Sequence, residues 1–368
     1  MRELRIKDIC DKGSSNLKQK DVENGKGKYP VYGASGISGY IDTYHQEKEY
    51  ISIVKDGSGI GRVSFMPARS SVIGTLQYIL PKEGYNIKYI SYCLQSLNLS
   101  EYKQGAAIPH IYFRDYGEFV VKVEENIAEQ ERIVALLDDQ FAKIDALKAN
   151  AASQLQAAKD LFQSALKEML TPKEGWEEKK LVEVVSKIVD GSHNPPKGIK
   201  ESEYKMLSSR NIENAKVLGQ ADVRFLSKED FEIENKRTKA KVDDVVLTIV
   251  GTIGRSAVLS EKDIPVTFQR SVAIMSPKDG VSSRYLMYYF ISNASLLNKE
   301  AQGVAQKGIY LNQLKNIPIS FPPLSEQERI AARLDSISEK VKALQANYDQ
   351  TINLCNDLKQ SLLKSIFA

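Results

Sequence analysis

The chain has 368 residues, is 42% hydrophobic and 27% charged, and carries a formal net charge of +4. That is the composition of a globular protein with room for two or three cores, not of a disordered or fibrous one. Cys10, Cys93 and Cys355 stand singly, no apolar run approaches a membrane span, and no apolar stretch follows Met1-Arg2-Glu3-Leu4-Arg5. A disulfide framework, a cysteine metal site, a spanning helix and a secretory leader are therefore not expected, and a cytoplasmic location is.

The first 124 residues read as strand-rich. Tyr29–Gly36 follows Lys26 and Lys28, and Tyr50–Val54 and Val63–Phe65 are short apolar or alternating runs divided by the glycine-rich Asp56–Arg62. Tyr89–Leu99 has helical spacing instead. Gln104-Gly105 and Ile111-Tyr112 follow, and Phe119–Glu124 leads into a long helical pattern. In that pattern Ile133, Leu137, Ile144, Leu147, Ala151, Leu155, Ala158, Leu161, Ala165 and Met169 form a narrow stripe of the coiled-coil kind. Thr171-Pro172 stops it, and Gly175 follows.

Residues 172–324 repeat the plan. Val245–Val250 and Val272–Met275 read as strands and Arg284–Asn298 as helix. Pro322-Pro323 precedes a second stripe that runs from Ile330, Leu334 and Ile337 to Leu358, Leu362 and Ile366. Ser325-Glu326-Gln327-Glu328 has the form of a capping box at its start.

Short segments recur at nearly half the chain length. Glu129-Gln130-Glu131-Arg132-Ile133 returns as Glu326-Gln327-Glu328-Arg329-Ile330. Gln104-Gly105 and Ile111-Tyr112 return as Gln302-Gly303 and Ile309-Tyr310, and Ile60-Gly61-Arg62 as Ile253-Gly254-Arg255. Two copies are too few for a solenoid, so this is a duplicated unit of one globular part and one helix. The expected class is α+β, with globular domains at 1–124 and 172–324. Helices at 125–171 and 325–368 would pair as an antiparallel two-helix coiled coil under a pseudo-twofold internal repeat. Residues 1–124 carry 17 basic and 14 acidic residues and residues 172–324 carry 23 and 19. The helical segments are net acidic. The basic charge thus lies on the globular parts, which leans toward nucleic acid.

With both Glu-Gln-Glu-Arg-Ile helix starts, the lead-in Ile317–Leu324, Tyr29–Gly36 and Asp190–Pro196, essentially the whole chain resembles the specificity subunit of Type I restriction–modification enzymes. The first lead-in, Phe119–Glu124, lacks the Pro-x-Pro found before the second helix. The resemblance implies two target-recognition domains, each reading half of a split site in double-stranded DNA, with the helices as spacers. It implies a chain without catalysis, metal or cofactor of its own. Partners would be two methyltransferase subunits that use S-adenosylmethionine on adenine, and restriction/translocase subunits that use ATP and Mg to cut unmethylated DNA.

Candidate DNA contacts follow from residue type. Arg pairs with guanine, Asn or Gln with adenine, and Lys or Arg with phosphate. In the first half these are Lys28, Tyr32, Ser35, Lys55, Arg62 and Gln104. In the second they are His193, Asn194, Lys197, Ser209, Arg210, Asn211, Arg255, Gln269, Arg270 and Lys307. Asp56–Arg62 is equally a plain strand turn, because it lacks the Lys-Ser/Thr of a Walker loop. Asn194-Pro195-Pro196-Lys197 is no methyltransferase signature, since Lys197 stands where a base-stacking ring is needed. Glu129, Glu131, Arg132, Glu326, Glu328 and Arg329 offer a polar helix surface for partner subunits. A coiled-coil adaptor that binds proteins only is the alternative reading.

Overall fold

The computed structural model describes residues 1–23, 25–57, 59–105, 109–213, 215–218, 222–301 and 307–367. Gln302-Gly303, the second copy of the Gln-Gly pair, and Ser58 of the glycine-rich loop lie outside the described residues. The chain divides into two compact units, Met1–Ser153 with Asn347–Ala368, and Gln154–Ala346. Each unit takes part of both long helices along with one strand-rich region.

In the first unit, four antiparallel strands lie in the order Cys10–Ser14, Leu76–Pro81, Tyr50–Val54, Val63–Met66. Tyr50–Val54 is buried along its whole length, as a strand covered on both faces must be. Ile51, Ile53 and Ile79 pack with Tyr89, Ile90 and Leu94 of the helix Ile87–Gln95. Tyr50, Val54 and Tyr78 face a second core with Val31 and Val72. These last two belong to a smaller sheet in which Tyr29–Gly33 pairs antiparallel with Gly36–Ile41 and parallel with Ser71–Val72. A ladder of Arg2–Arg5 with Val120–Val123 joins the two ends of this region.

The second unit has the same connectivity. Its four strands are ordered Val185–Asp190, Val272–Pro277, Val245–Thr248, Ser256–Val258. Its smaller sheet pairs Lys205–Leu207 antiparallel with Arg224–Phe225 and parallel with Val266–Phe268. Glu177–Lys180 pairs with Pro318–Phe321 at the ends, and the helix Ser283–Ser292 takes the place of Ile87–Gln95. A helix at Lys228–Thr238 is an addition. The duplication seen in short sequence matches is therefore a duplication of topology.

The long helices are Ile127–Leu170 and Leu324–Phe367, 44 residues each, or about 66 Å at 1.5 Å per residue. They run antiparallel within each unit. In the first, Lys359 donates to Asp145 at 2.7 Å and Lys148 to Asn356 at 3.0 Å. In the second, Leu166 and Leu170 share a core with Ile330 and Leu334.

The apolar stripe differs from the sequence expectation. Ile133, Leu137, Ile144, Leu155, Ile330 and Leu334 are buried, but Leu147 is 57% and Leu161 65% exposed, and Leu344 and Leu358 are exposed too. Leu166, Leu170, Leu363 and Phe367 are buried instead. A heptad stripe assumes that the other helix is the only partner. The helix ends pack on globular cores: Phe367 meets the Tyr89 ring edge-on at 5.1 Å between centroids. Those cores select neighbouring positions.

The repeated Glu-Gln-Glu-Arg-Ile segment is the joint between globular region and helix. Gln130 is buried. Its Oε1 accepts from the Asn86 N–H at 2.7 Å, and its Nε2 donates to the Glu124 carbonyl at 2.7 Å and the Gly84 carbonyl at 3.5 Å. Gln327 does the same with the Ser282 N–H at 2.9 Å and the Pro322 and Gly280 carbonyls at 2.9 and 3.2 Å. Two turns further on, Tyr92 donates to Asp138, which also takes Lys88 at 2.5 Å. Tyr288 donates to Asp335 at 2.7 Å, beside Arg284 at 3.1 Å. Burial first, and the carboxylate acceptor second, push both phenols well above their ordinary range.

The expected capping box is not formed. The second helix begins at Leu324, and the Pro323 carbonyl accepts from the Glu326 and Gln327 N–H groups, so Ser325 lies inside the first turn. Two prolines already fix the chain entry there. In the first helix the capping side chain is Asn126, whose Oδ1 accepts from the Ala128 N–H at 3.0 Å.

Gln327→Ala is expected to destabilise the second unit by about 2 kcal/mol, because it leaves a buried N–H and two carbonyls unpaired. Urea unfolding measures it. Glu326→Ala, which removes only the half-buried partner of the exposed Arg329, should leave the midpoint nearly unchanged.

Candidate nucleic-acid interface

The same loops converge in each unit, at the ends of equivalent strands. In the first unit the Arg62 guanidinium donates to the Ala34 carbonyl at 2.8 Å, beside Ser35 in the turn between the Tyr29–Gly33 and Gly36–Ile41 strands. The N–H groups of Lys55 and Asp56 donate to the Thr75 carbonyl. Asp56 Oδ1 meets His110 Nδ1 at 2.5 Å, and Gln104 exchanges two backbone hydrogen bonds with His110. Gln104 Nε2 also donates to Asp115 at 3.0 Å.

Arg62 and Ser35 are thus brought together, as are Lys55 and Gln104. Lys28 precedes the Tyr29–Gly33 strand and stands at its opposite end from Ser35. Tyr32 is half-buried and packs against the core of the smaller sheet, so its ring is committed inward. His110, Asp56 and Arg114 share the loop face, although the sequence reading did not select them. The repeated Ile-Tyr pair that follows His110 was the signal available.

In the second unit a groove of about 630 Å³ is lined by Ser209, Arg210, Asp222, Arg224, Gln269 and Arg270. Four of the expected contacts meet here. The Ser209 N–H donates to Ser271 Oγ at 3.0 Å, which ties the 208–211 turn to the 269–271 loop. Arg210 pairs with Asp222 at 2.6 Å on the open surface. The loop 190–197 lies alongside, because the Ser192 N–H donates to the Phe268 carbonyl and the Arg270 N–H to the Ser192 carbonyl, both at 2.8 Å.

Gly191 is required at that crossing. A Cβ there would lie 2.0 Å from the Phe268 carbonyl oxygen. Arg224 holds the stiff part of the same loop by donating to the Pro195 and Pro196 carbonyls at 3.3 and 2.8 Å. His193 hydrogen-bonds Asp190 at 2.7 Å, which Arg237 also reaches. Asn194 and Lys197 are exposed.

Two expected contacts take structural positions. Asn211 is fully buried; its Oδ1 accepts from the Ser208 N–H at 2.9 Å and its Nδ2 donates to the Leu218 carbonyl at 3.3 Å. A carboxamide satisfied inside the loop has nothing left for a base edge, so the reading of Asn211 as a base contact is corrected. Arg255 does not line the groove, and its guanidinium donates to the Ile212 carbonyl at 3.5 Å. Gly61 and Gly254 have φ of +83° and +95°, and a Cβ on them would strike Ser100 and Ala294. The repeated Ile-Gly-Arg is therefore a packing turn whose arginine ties two loops together. Lys307 is exposed and adjoins Gly308, which bridges to Val250 at the groove wall.

On the helix starts, Glu131, Arg132, Glu328 and Arg329 are exposed and Glu129 and Glu326 half-buried. Arg132 holds Glu129 bidentately at 2.8 and 2.7 Å, and Arg329 holds Glu326 at 2.6 and 2.6 Å. These hydrogen bonds lower both carboxyls below the usual range. Among the described residues, no group of three or more His, Cys, Asp or Glu side chains is placed to hold a metal. Burial pushes the Cys10 and Cys93 thiols up to about 12, so both stay protonated. No helix among the described residues is long and apolar enough to cross a membrane.

Residues 1–157 and 173–354 match the family described as the Type I restriction modification DNA specificity domain. The chain belongs to this family. It is 26% identical over 272 residues to the Type I restriction enzyme EcoBI specificity subunit of Escherichia coli, covering 66% of this chain and 56% of that one. It is 24% identical over 319 residues to a putative Type I specificity subunit of Haemophilus influenzae, covering 84% and 80%. Its fold is similar to a chain from a structural study of complex assembly and conformational transition in the Type I system. The TM-score there is 0.73 at 17% identity, with 99% of this chain and 96% of that one covered.

Arg224→Ala is expected to release the proline-stiffened loop of this specificity-family chain, so that the backbone beside the already exposed Lys197 can enter a protease site. Limited trypsin digestion should then cut at Lys197 several-fold faster than in the unaltered chain, with the rest of the fragment pattern unchanged.

Proposed function

We propose that this chain is the DNA-reading, non-catalytic subunit of a Type I restriction–modification complex. The observation that carries the proposal is a duplicated topology whose equivalent loops bear different polar side chains. One frame presented twice, with two sets of side chains, suits a split and asymmetric DNA site. Arg210, Gln269 and Arg270 would read bases or phosphates in one half. Ser35, Lys55 and Gln104 would serve the other. The half-site centres would lie roughly one helical turn apart.

Two methyltransferase subunits would dock on the long helices and transfer a methyl group from S-adenosylmethionine to adenine in each half. An apolar groove of about 950 Å³ between the helices, with Leu161, Ala165, Met169, Ile330, Ile337 and Val341 on its walls, supports a helical partner there. The Glu326–Arg329 pair would form its polar rim, and the Glu129–Arg132 pair would offer a polar surface of the same kind in the first unit. Restriction/translocase subunits, with ATP and Mg, would add cleavage of unmethylated DNA.

Mapping N6-methyladenine across the host genome with and without this gene is the direct test. A split motif that disappears on deletion supports the proposal, and an unchanged map sinks it. Exchanging residues 1–115 for the equivalent region of another specificity subunit is expected to change one half of that motif only. In binding assays with the methyltransferase present, affinity should fall with salt. Replacing Arg270 or Lys307 by Ala, where either meets phosphate, should lower the salt slope by about 1.

A further inference from the structure

The residues that match between the two halves mostly have structural tasks. Gly61 and Gly254 allow close packing, Arg62 and Arg255 donate to carbonyls, and Tyr92 and Tyr288 hydrogen-bond a helix aspartate. Ile111 and Ile309 are buried, and their N–H groups donate to the Lys55 and Ile249 carbonyls, both at 2.9 Å. The residues that follow them, Tyr112 and Tyr310, therefore occupy one place in one topology. They are 43% and 65% exposed. Neither belongs to a hydrophobic core cluster.

Both tyrosines sit at the loop face described above. Next to Tyr310, Gly308 bridges to Val250 on the wall of the Arg210–Arg270 groove. Next to Tyr112, His110 pairs with Asp56, and the Arg114 guanidinium lies over the Tyr112 ring at 4.7 Å from its centroid. Around the tyrosines the equivalent side chains differ. Asp56 and His110 stand where the second unit has Val250 and Gly308. Gly74, which precedes Thr75, stands where it has Arg270, which precedes Ser271.

Side chains that differ suit two different half-sites. A side chain that is the same suits what both half-sites need whatever their sequence. If each half presents an adenine for methylation, that base must leave the stack, and a gap opens where it stood. An aromatic ring supports a gap of this kind without regard to sequence, because every neighbouring base offers a π-face.

We propose that Tyr112 and Tyr310 are the sequence-independent stacking contacts of the two recognition regions, each supporting the duplex where an adenine is turned out. This rests on the specificity-subunit reading. The test uses the full chain assembled with its methyltransferase subunits, on a duplex that carries the mapped motif with 2-aminopurine at one target adenine at a time. Tyr310→Ala should reduce the 2-aminopurine signal and, on the unmodified duplex, the methylation rate at one half-site, roughly tenfold to a hundredfold. The motif and the other half-site should be unchanged. Tyr112→Ala should do the same at the other half-site, and Phe at either position should retain function.

Two results would overturn the proposal. One is normal extrusion and methylation in both alanine variants. The other is an alanine variant that methylates a different motif, which would make the tyrosine a base reader. An unaltered complex that methylates no motif is a distinct result, read before any variant is compared, and it overturns the specificity-subunit reading itself.

Discussion

Each globular region is fixed to its helix by one buried glutamine. Gln130 and Gln327 each satisfy one backbone N–H and two backbone carbonyls where the loop before a short helix meets the start of a long one. A buried amide with this many partners has few other places to go, so it sets both the position and the rotation of the helix. The isoleucine three residues on then enters the core, and the Tyr–Asp hydrogen bond falls one turn later. The arginine between them faces outward and pairs with the glutamate just before the glutamine, Arg132 with Glu129 and Arg329 with Glu326.

Above that joint the two units keep connectivity and vary side chains. The strand orders agree, the parallel pairing in the smaller sheet recurs, and the glycine turns pack against matching segments. Where the loops open outward, Asp56 and His110 are replaced by Val250 and Gly308, and a second-unit groove carries Arg210, Gln269 and Arg270. Backbone hydrogen bonds define the frame, and the frame leaves the loop side chains under little packing constraint. A recognition surface of this design can diverge without endangering the fold.

Much of this was legible in the residues. The two long helices follow from their apolar spacing, and the duplication from a handful of short matches. The seam was misread at its ends, because Leu363 and Phe367 answer to a globular core that no helical period encodes. The capping box was misread because Pro322-Pro323 already starts the helix. Asn211 and Tyr32 have the chemistry of DNA contacts, yet one is buried and the other packs inward, and residue type cannot distinguish a carboxamide that holds a turn from one that reads a base. His110 and Asp56 meet only when segments far apart in sequence fold together.

Residues 347–367 belong to the first unit, where Leu363 and Phe367 fill the core beneath Tyr89. Of the two regions, the one synthesised earlier is thus the one completed later. At ordinary elongation rates, on the order of ten to forty seconds separate the emergence of residue 153 from that of residue 347. During that interval the first region lacks part of its apolar floor and the second can close around Ile330 and Leu334. A chain cut short before Leu363 would display an open hydrophobic seat, a feature by which chaperones and proteases sort unfinished molecules from finished ones.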